Sequence, residues 1–371
     1  MLLDTDFHIH SLFSIASSRT MVPSSILAGC RRKGIAAVGS GDALQGAWRE
    51  MWRKTPADAE ILVIPSAEVE DRDRVHHLIL AESFGTFEDL ARRFSPSAPS
   101  IGTMGRPHIR LPGEEVARAV HECGGLIGPA HAFTPWTALF ASFDRARDCY
   151  GGERPDFLEL GLSADSSYGA GIRELRGIPF LSNSDAHSPS PAKLGREFNR
   201  IEAPALSAGA VLGAIRKGGI VLNAGFFPEE GKYNRTACTR CYRQFTLEEA
   251  VGLSWRCPDD GGLLKKGVSD RARELSDGPP GPRPPYLHLI PLLEIIGRVL
   301  ETKSTGAKRV TTLYDSLLDS FGNEIRVLVD VPEDEIRALH PGVGDAIARL
   351  RTGRVRLSPG GGGRYGKFSF G

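Results

Sequence analysis

The sequence predicts an α/β protein, and three observations carry that prediction. Residues 1–225 alternate short apolar runs with helical patterns, cysteines cluster between positions 238 and 257, and a proline-rich stretch at 276–285 precedes apolar helical sequence. Strands alternating with helices indicate parallel β/α architecture, either a barrel or a doubly wound sheet. A chain of 371 residues suggests two or three domains. The shifts in composition place their borders at 1–225, 226–275, a connector at 276–285, and 286–371.

The expected strands are short runs rich in β-branched and aromatic residues: 61–64 ILVI, 78–80 LIL, 125–127 GLI, 157–160 FLEL, 178–181 IPFL and 219–222 GIVL. Between them, SSILAGCRRKG (24–34) opens on serine capping candidates and ends on a glycine, as a helix should. GEEVARAVHECGG (113–125) sets Val116, Ala119, Val120 and Cys123 at helical spacing, again before glycine. SDGPPGPRPP (276–285) suits neither helix nor sheet interior. Beyond it, 286–300 reads as helical after Pro291 and 331–353 as two short helices, a mainly helical C-terminal domain. The closing SPGGGGRYGKFSFG reads as irregular, and no internal repeat is visible.

Hydrophobic residues make up 41% and charged residues 25%, ordinary values for a soluble globular protein. No apolar run is long enough to span a bilayer. The opening carries Asp4 and Asp6 where a signal peptide would carry Lys or Arg, so the expectation is a cytoplasmic protein with no membrane partner. Cys30, Cys123 and Cys149 are scattered like small core residues, whereas Cys238, Cys241 and Cys257 cluster as metal ligands do in a reducing compartment. The net charge of +1 hides an asymmetry: residues 231–371 hold 22 Lys and Arg against 17 Asp and Glu, the remainder 24 against 28. A basic end with Arg349, Arg351, Arg354, Arg356, Arg364 and Lys367 hints at a polyanionic partner.

The first apolar run ends in DFHIHSLFS (6–14). On a strand, His8 and His10 share one face, a poor choice for a core and a good one for a metal. Polar residues follow the other runs in the same way: Asp42, Glu68, His76 and His77, His131, then Asp185 and His187. At one rim of a β/α barrel such a set far exceeds structural need. Carboxylates and imidazoles crowded together call for a cation, and nitrogen and oxygen donors suit Zn, Mn or Fe. Glu68 has two oxygens with which to bridge two ions, and paired metals form a clamp for phosphoryl-transfer chemistry.

HIH at 8–10, Glu68 after a strand, PAH at 129–131 and NSDAH at 183–187 together resemble the motifs of the PHP phosphoesterase superfamily. The resemblance implies a distorted (β/α)7 barrel holding two or three divalent metals, Zn, Mn or Mg. It assigns His8, His10, Glu68 and Asp185 to one ion, Glu68, His76 and His131 to a second, and Asp42 and His187 to a third. His76 is preferred to His77. The loop SLFSIASS lacks the further histidine of many members, so the third site has fewer ligands.

Residues 237–271 read as a zinc ribbon. Cys238 and Cys241 form one knuckle and Cys257 begins the second, with Asp260 where a fourth cysteine would stand; Asp259 or a distant histidine are alternatives. A PHP domain followed by such a ribbon, by RPPYLHLIPLLEII and by PGGGGRYG resembles the endonuclease Q family across essentially the whole chain. That resemblance implies a metal-dependent endonuclease nicking damaged DNA on the 5′ side of uracil, hypoxanthine, xanthine or an abasic site. Asp185 would be ligand and proton acceptor, with His131 or His187 near the leaving oxygen. Lys265, Lys266, Arg354, Arg356, Arg364 and Lys367 are candidate phosphate contacts, Tyr365 a stacking residue, and the glycine run a surface of unobstructed N–H groups. A sliding clamp is a candidate partner, although no clamp-binding motif stands out. Two rival readings are a small-molecule phosphatase of the PHP type and a non-catalytic DNA-binding subunit.

Overall fold

The computed structural model describes residues 1–302 and 304–370. It is a mixed α/β fold. Strands β1 (Leu2–Asp6), β2 (Ala37–Gly39) and β3 (Leu62–Ile64) run parallel, linked through helices Pro23–Lys33 and Gly46–Lys54. Pro65 separates β3 from β4 (Ser66–Glu70), which forms an antiparallel sheet with β5 (His76–Leu80) and β6 (Leu126–Pro129). β7 (Leu158–Glu159) and β8 (Phe180–Leu181) pair in parallel. β9 (Phe198–Glu202) then returns antiparallel between β1 and β10 (Ile220–Gly225).

The expected parallel β/α architecture holds for β1–β3 and β7–β8 and gives way to antiparallel pairing at two places. The β4–β5 connection is too short for a crossover: the Asp71 carboxylate accepts from the Asp73 and Val75 N–H groups and closes a tight turn. Between β8 and β9 lies a Ser- and Pro-rich loop in place of a helix, so the chain doubles back.

Helix Pro23–Lys33 illustrates how sequence becomes structure here. Proline occupies its first turn, Gly34 ends it at φ +100°, and Ile26, Leu27 and Cys30 are buried along one face. That face belongs to the same hydrophobic core as helices Leu292–Val299, Lys308–Phe321 and Pro341–Arg351, which contribute Ile295, Leu317 and Ile347. A buried Lys33–Glu324 pair at 2.7 Å, with Glu324 also accepting from Tyr314 Oη and Leu292 N, ties the two ends of the chain together. Strand β13 (Tyr286–His288), directly after the proline-rich connector, adds to the edge of the main sheet beside β10. The segment after the connector thus begins inside the sheet.

Residues 237–265 form a separate small core of Cys238, Phe245, Ala250, Cys257 and Leu264 around the pair β11 (Ala237–Cys238) and β12 (Leu264–Lys265). The C-terminal end is not irregular, as its composition suggested: β14 (Val355–Ser358) and β15 (Lys367–Phe370) make an antiparallel pair. Among the described residues no helix is long and apolar enough to cross a membrane.

Candidate metal centre

Two triads of donor atoms gather past the ends of β1, β6 and β8 and on the β4–β5 pair. His8, His10 and Asp185 form one, and Glu68, His76 and His131 the other, each with its ligand atoms within 4.8 Å of one another. His8 and His10 lie just past β1, where Ile9 bridges in parallel to Ala186 and His10 N donates to Ala186 O. That short ladder holds the HIH and SDAH segments side by side. Glu68 and His76 share one face of the β4–β5 pair, since Glu68 stands opposite Leu78 and His76 opposite Glu70. Glu68 links the triads: Oε1 lies 2.7 Å from His76 Nδ1 and 3.0 Å from His131 Nε2, while Oε2 lies 3.5 Å from His10 Nε2.

Two of these positions, and Asp42 behind them, require unusual backbone. His131 at φ +32°, Asp42 at +44° and Asp185 at +47° all sit in the left-handed region without being glycine. Such conformations cost free energy and persist where the surrounding structure demands them, which is common at functional sites.

The donor set fits divalent cations. His8 Nε2 and His10 Nε2 are buried and make no hydrogen bond, although buried polar atoms are nearly always paired. Their other ring nitrogens are anchored: His8 Nδ1 contacts Glu159 Oε2 at 2.8 Å, and His10 Nδ1 contacts Asp42 Oδ1 at 3.2 Å. A carboxylate behind an imidazole fixes ring orientation and leaves Nε2 with a lone pair for a metal. Burial would depress the His8 imidazole, but Glu159, Asp185 and Glu68 overcome it and lift it to about 9. For Glu68, burial pushes up and the surrounding His76, His131 and His8 hold the carboxyl well below its usual range. The site is thus built for bound positive charge.

Asp42 stands outside both triads, behind His10. Its Oδ2 accepts from Ser11 N at 2.8 Å, Ser11 Oγ at 2.5 Å and Ser14 Oγ at 2.8 Å. His187 stands at the rim, stacked on His10 at 4.3 Å, with Nδ1 on Ser17 Oγ and Nε2 3.5 Å from Asp185. His77 faces away from His76, into a closed knot with Asp71 and Tyr150 Oη. Sequence reasoning missed Glu159, Glu70 (3.1 Å from His76 Nε2) and Arg106 (2.9 Å from Glu68). An acid inside the apolar run FLEL was the one available signal, for Glu159.

The cysteine cluster converges as well: Cys238, Cys241, Cys257 and Asp260 bring one ligand atom each within 4.8 Å. Backbone N–H groups of Arg240 and Gly262 point at Cys238 Sγ and Asp260 Oδ1. Asp259 instead pairs with Arg243 at 2.9 Å.

The expected DNA contacts divide. Arg354, Arg356, Arg364, Tyr365 and Lys367 are exposed. Lys266 is paired with Glu274 at 2.7 Å, and Lys265 Nζ lies 3.4 Å from the centre of the Trp136 ring. The glycine run does not offer its N–H groups as expected. Those of Gly360, Gly361, Gly363 and Gly366 donate to Glu229, Arg364, Lys232 and Glu230 carbonyls. A Cβ at Gly362 would lie 2.2 Å from Cys238 O and one at Gly366 2.1 Å from Glu229 O, so Gly360, Gly361, Gly362 and Gly366 are small because the chain's own backbone packs on them.

An α/β fold with an open, carboxylate-backed cluster of imidazole and acid donors defines a class: it is the kind of centre that metal-dependent hydrolases use. Comparison with known proteins narrows this. A family model for the MJ0043 C-terminal domain matches residues 291–354. The lesion-specific endonuclease PfuEndoQ of Pyrococcus furiosus is 44% identical, with 99% of this chain and 95% of that one superposing at a TM-score of 0.94. Endonuclease Q in complex with a 27-mer duplex carrying an abasic lesion at its active site is also 44% identical, covering 100% and 97% at 0.95. The uncharacterized protein MJ0043 of Methanocaldococcus jannaschii is 45% identical over 69% of this chain, which spans only 32% of that relative's length. YqxK of Bacillus subtilis is 33% identical, covering 79% of this chain and 73% of its own. The chain belongs to the endonuclease Q family, as its motifs indicated.

Proposed function

We propose that this chain is a metal-dependent DNA-repair endonuclease. It would hydrolyse the phosphodiester bond on the 5′ side of a deaminated base, such as uracil, hypoxanthine or xanthine, or of an abasic site. The observation that carries this is the full-length likeness, at 44% identity, to an enzyme captured on duplex DNA with an abasic lesion at its active site. The two donor triads joined by Glu68 support it. Neither a small-molecule phosphatase nor a non-catalytic subunit is favoured by that likeness.

In this reading the strands form a distorted (β/α)7 barrel, residues 226–275 a ribbon closed by a structural Zn on Cys238, Cys241, Cys257 and Asp260, and residues 286–371 a further domain. His8, His10, Glu68, His76, His131 and Asp185 would hold two divalent ions, Zn, Mn or Mg. Bound there, such ions supply a water of lowered pKa and neutralise phosphate charge. Glu159 and Asp42 keep His8 and His10 in register by holding their Nδ1 atoms. Asp185, one-third exposed at the mouth, would accept the proton of an attacking water, and His131 or His187 would protonate the leaving oxygen. Arg354, Arg356, Arg364 and Lys367 would contact phosphates, and Tyr365, 52% exposed, would stack on a base. A damaged base leaves the helix stack more cheaply than a sound one, which favours recognition of lesions.

Duplexes carrying uracil, hypoxanthine or an abasic site, incubated with the protein and Mg, Mn or Zn, should be nicked 5′ of the lesion, as mapped on a sequencing gel. Cleavage of a phosphomonoester without any nick would refute the proposal.

A further inference from the structure

The mouth of the candidate centre contains one cation that the metal reading leaves unused. His8, His10 and Glu68 are buried, so the centre meets solvent through Asp185 and His187, each 34% exposed at the side chain, and through Arg106, also 34% exposed. Arg106 Nη1 lies 2.9 Å from Glu68 Oε2. Among the described residues it is the one Lys or Arg paired with a carboxylate of the two triads.

Its position is held by the chain on both sides. A Cβ on Gly105 would lie 2.2 Å from Ser14 Oγ and 2.3 Å from Asp42 Oδ2, and Gly105 N donates to Phe13 O. On the other side Glu70 N donates to Pro107 O and Ile109 N to Glu70 O. The segment is therefore strapped across the histidine cluster, and Arg106 cannot be carried away from it without breaking those contacts.

The oxygen that Arg106 holds is the one facing His8 and His10, at 3.9 and 3.5 Å from their Nε2 atoms. A cation held by those histidines and Asp185 would compete for the same oxygen and would repel the guanidinium. Arg106 would then stay at the mouth, held by its strapped segment, with its fork of N–H donors free. A guanidinium in that state matches two oxygens of a phosphate, and it does so far better than an ammonium.

We propose that Arg106 is a substrate-contacting residue that grips non-bridging oxygens of the phosphate undergoing attack, and that its Glu68 pairing is the resting position of that grip. This rests on the phosphoesterase reading above. The test uses the full chain, with Arg106→Ala and Arg106→Lys. Inorganic phosphate titrated calorimetrically into the Mn-loaded protein should bind R106A at least about tenfold more weakly than wild type, with R106K between them. This holds whether or not any duplex is nicked, so its failure is distinct from failure of the endonuclease reading. On a lesion duplex that wild type nicks, R106A should lose roughly 100-fold in kcat, and added guanidinium should restore part of it. Bound Mn per chain should be unchanged. Equal phosphate affinity in R106A and wild type, or loss of bound Mn in step with loss of phosphate, overturns the assignment.

Discussion

His76 and His77 are neighbours on β5, yet the surroundings they enter could hardly differ more. His77 belongs to a buried group of Asp71, His77 and Cys149 whose donors also lie within 4.8 Å of one another. There both ring nitrogens are bonded, to Asp71 at 3.0 Å and to Tyr150 Oη at 2.8 Å, and Asp71 also closes the β4–β5 turn. His76 joins the centre in which His8 and His10 each keep an unbonded Nε2 and in which Asp185 and Arg106 reach solvent. Residue composition alone does not distinguish the two. A knot that satisfies all its polar groups is a structural device; one that leaves lone pairs converging is a place for a ligand.

The largest test of that contrast is Asp185→Ala. It should lower nicking of a lesion duplex by about a thousandfold or more while the circular dichroism spectrum and melting temperature stay near wild type. Full activity would erase the distinction drawn for the open centre. Glu159→Gln probes one layer behind it. Weakening the anchor of His8 Nδ1 should reduce metal affinity or activity by about 10–100-fold, read by Mn titration alongside initial rates.

His77→Ala should do the reverse. Stranding Asp71 and Tyr150 Oη in the interior should cost about 2–4 kcal/mol in denaturant unfolding, with the nicking rate per folded molecule unchanged. A variant that loses activity at full stability would place the knot in the functional site.

Glu197 stands between these extremes and gives the smallest effect. Its Oε1 accepts from Phe226 N, its Oε2 has no partner, and burial pushes the carboxyl up to about 8. A carboxyl raised in the folded state favours folding most below its unfolded value near 4.5, and that contribution is lost as pH rises through about 8. Stability should therefore decline across that window in wild type. Glu197→Gln should flatten the decline, measured as the pH dependence of the melting temperature.

Much of this was legible along the chain. Local chemistry is written in neighbouring residues: serine, proline and glycine at the helix ends, alternation on strands, and the His-x-His, Cys-x2-Cys and Ser-Asp-Ala-His spacings. Acids placed after apolar runs located the centre. Asp42 was found in this way, but its contacts with His10, Ser11 and Ser14 were not, because they depend on which side chains surround it in the fold. Arg106 left no trace, since one arginine in a loop resembles any other. The glycine run was noticed and misread, because the backbone it accommodates comes from residues 229–238, more than a hundred positions away.

The sequence by itself determined the α/β class, the donor types and their grouping into two metal-suited sets, because backbone preference and ligand chemistry are properties of short stretches. Tertiary structure alone decided which ring nitrogens of His8 and His10 are free, that His77 is locked into a knot with Asp71 and Tyr150, and that strands β9 and β4–β6 run antiparallel. Those outcomes depend on what lies across the fold from each side chain, and burial makes every such partner count.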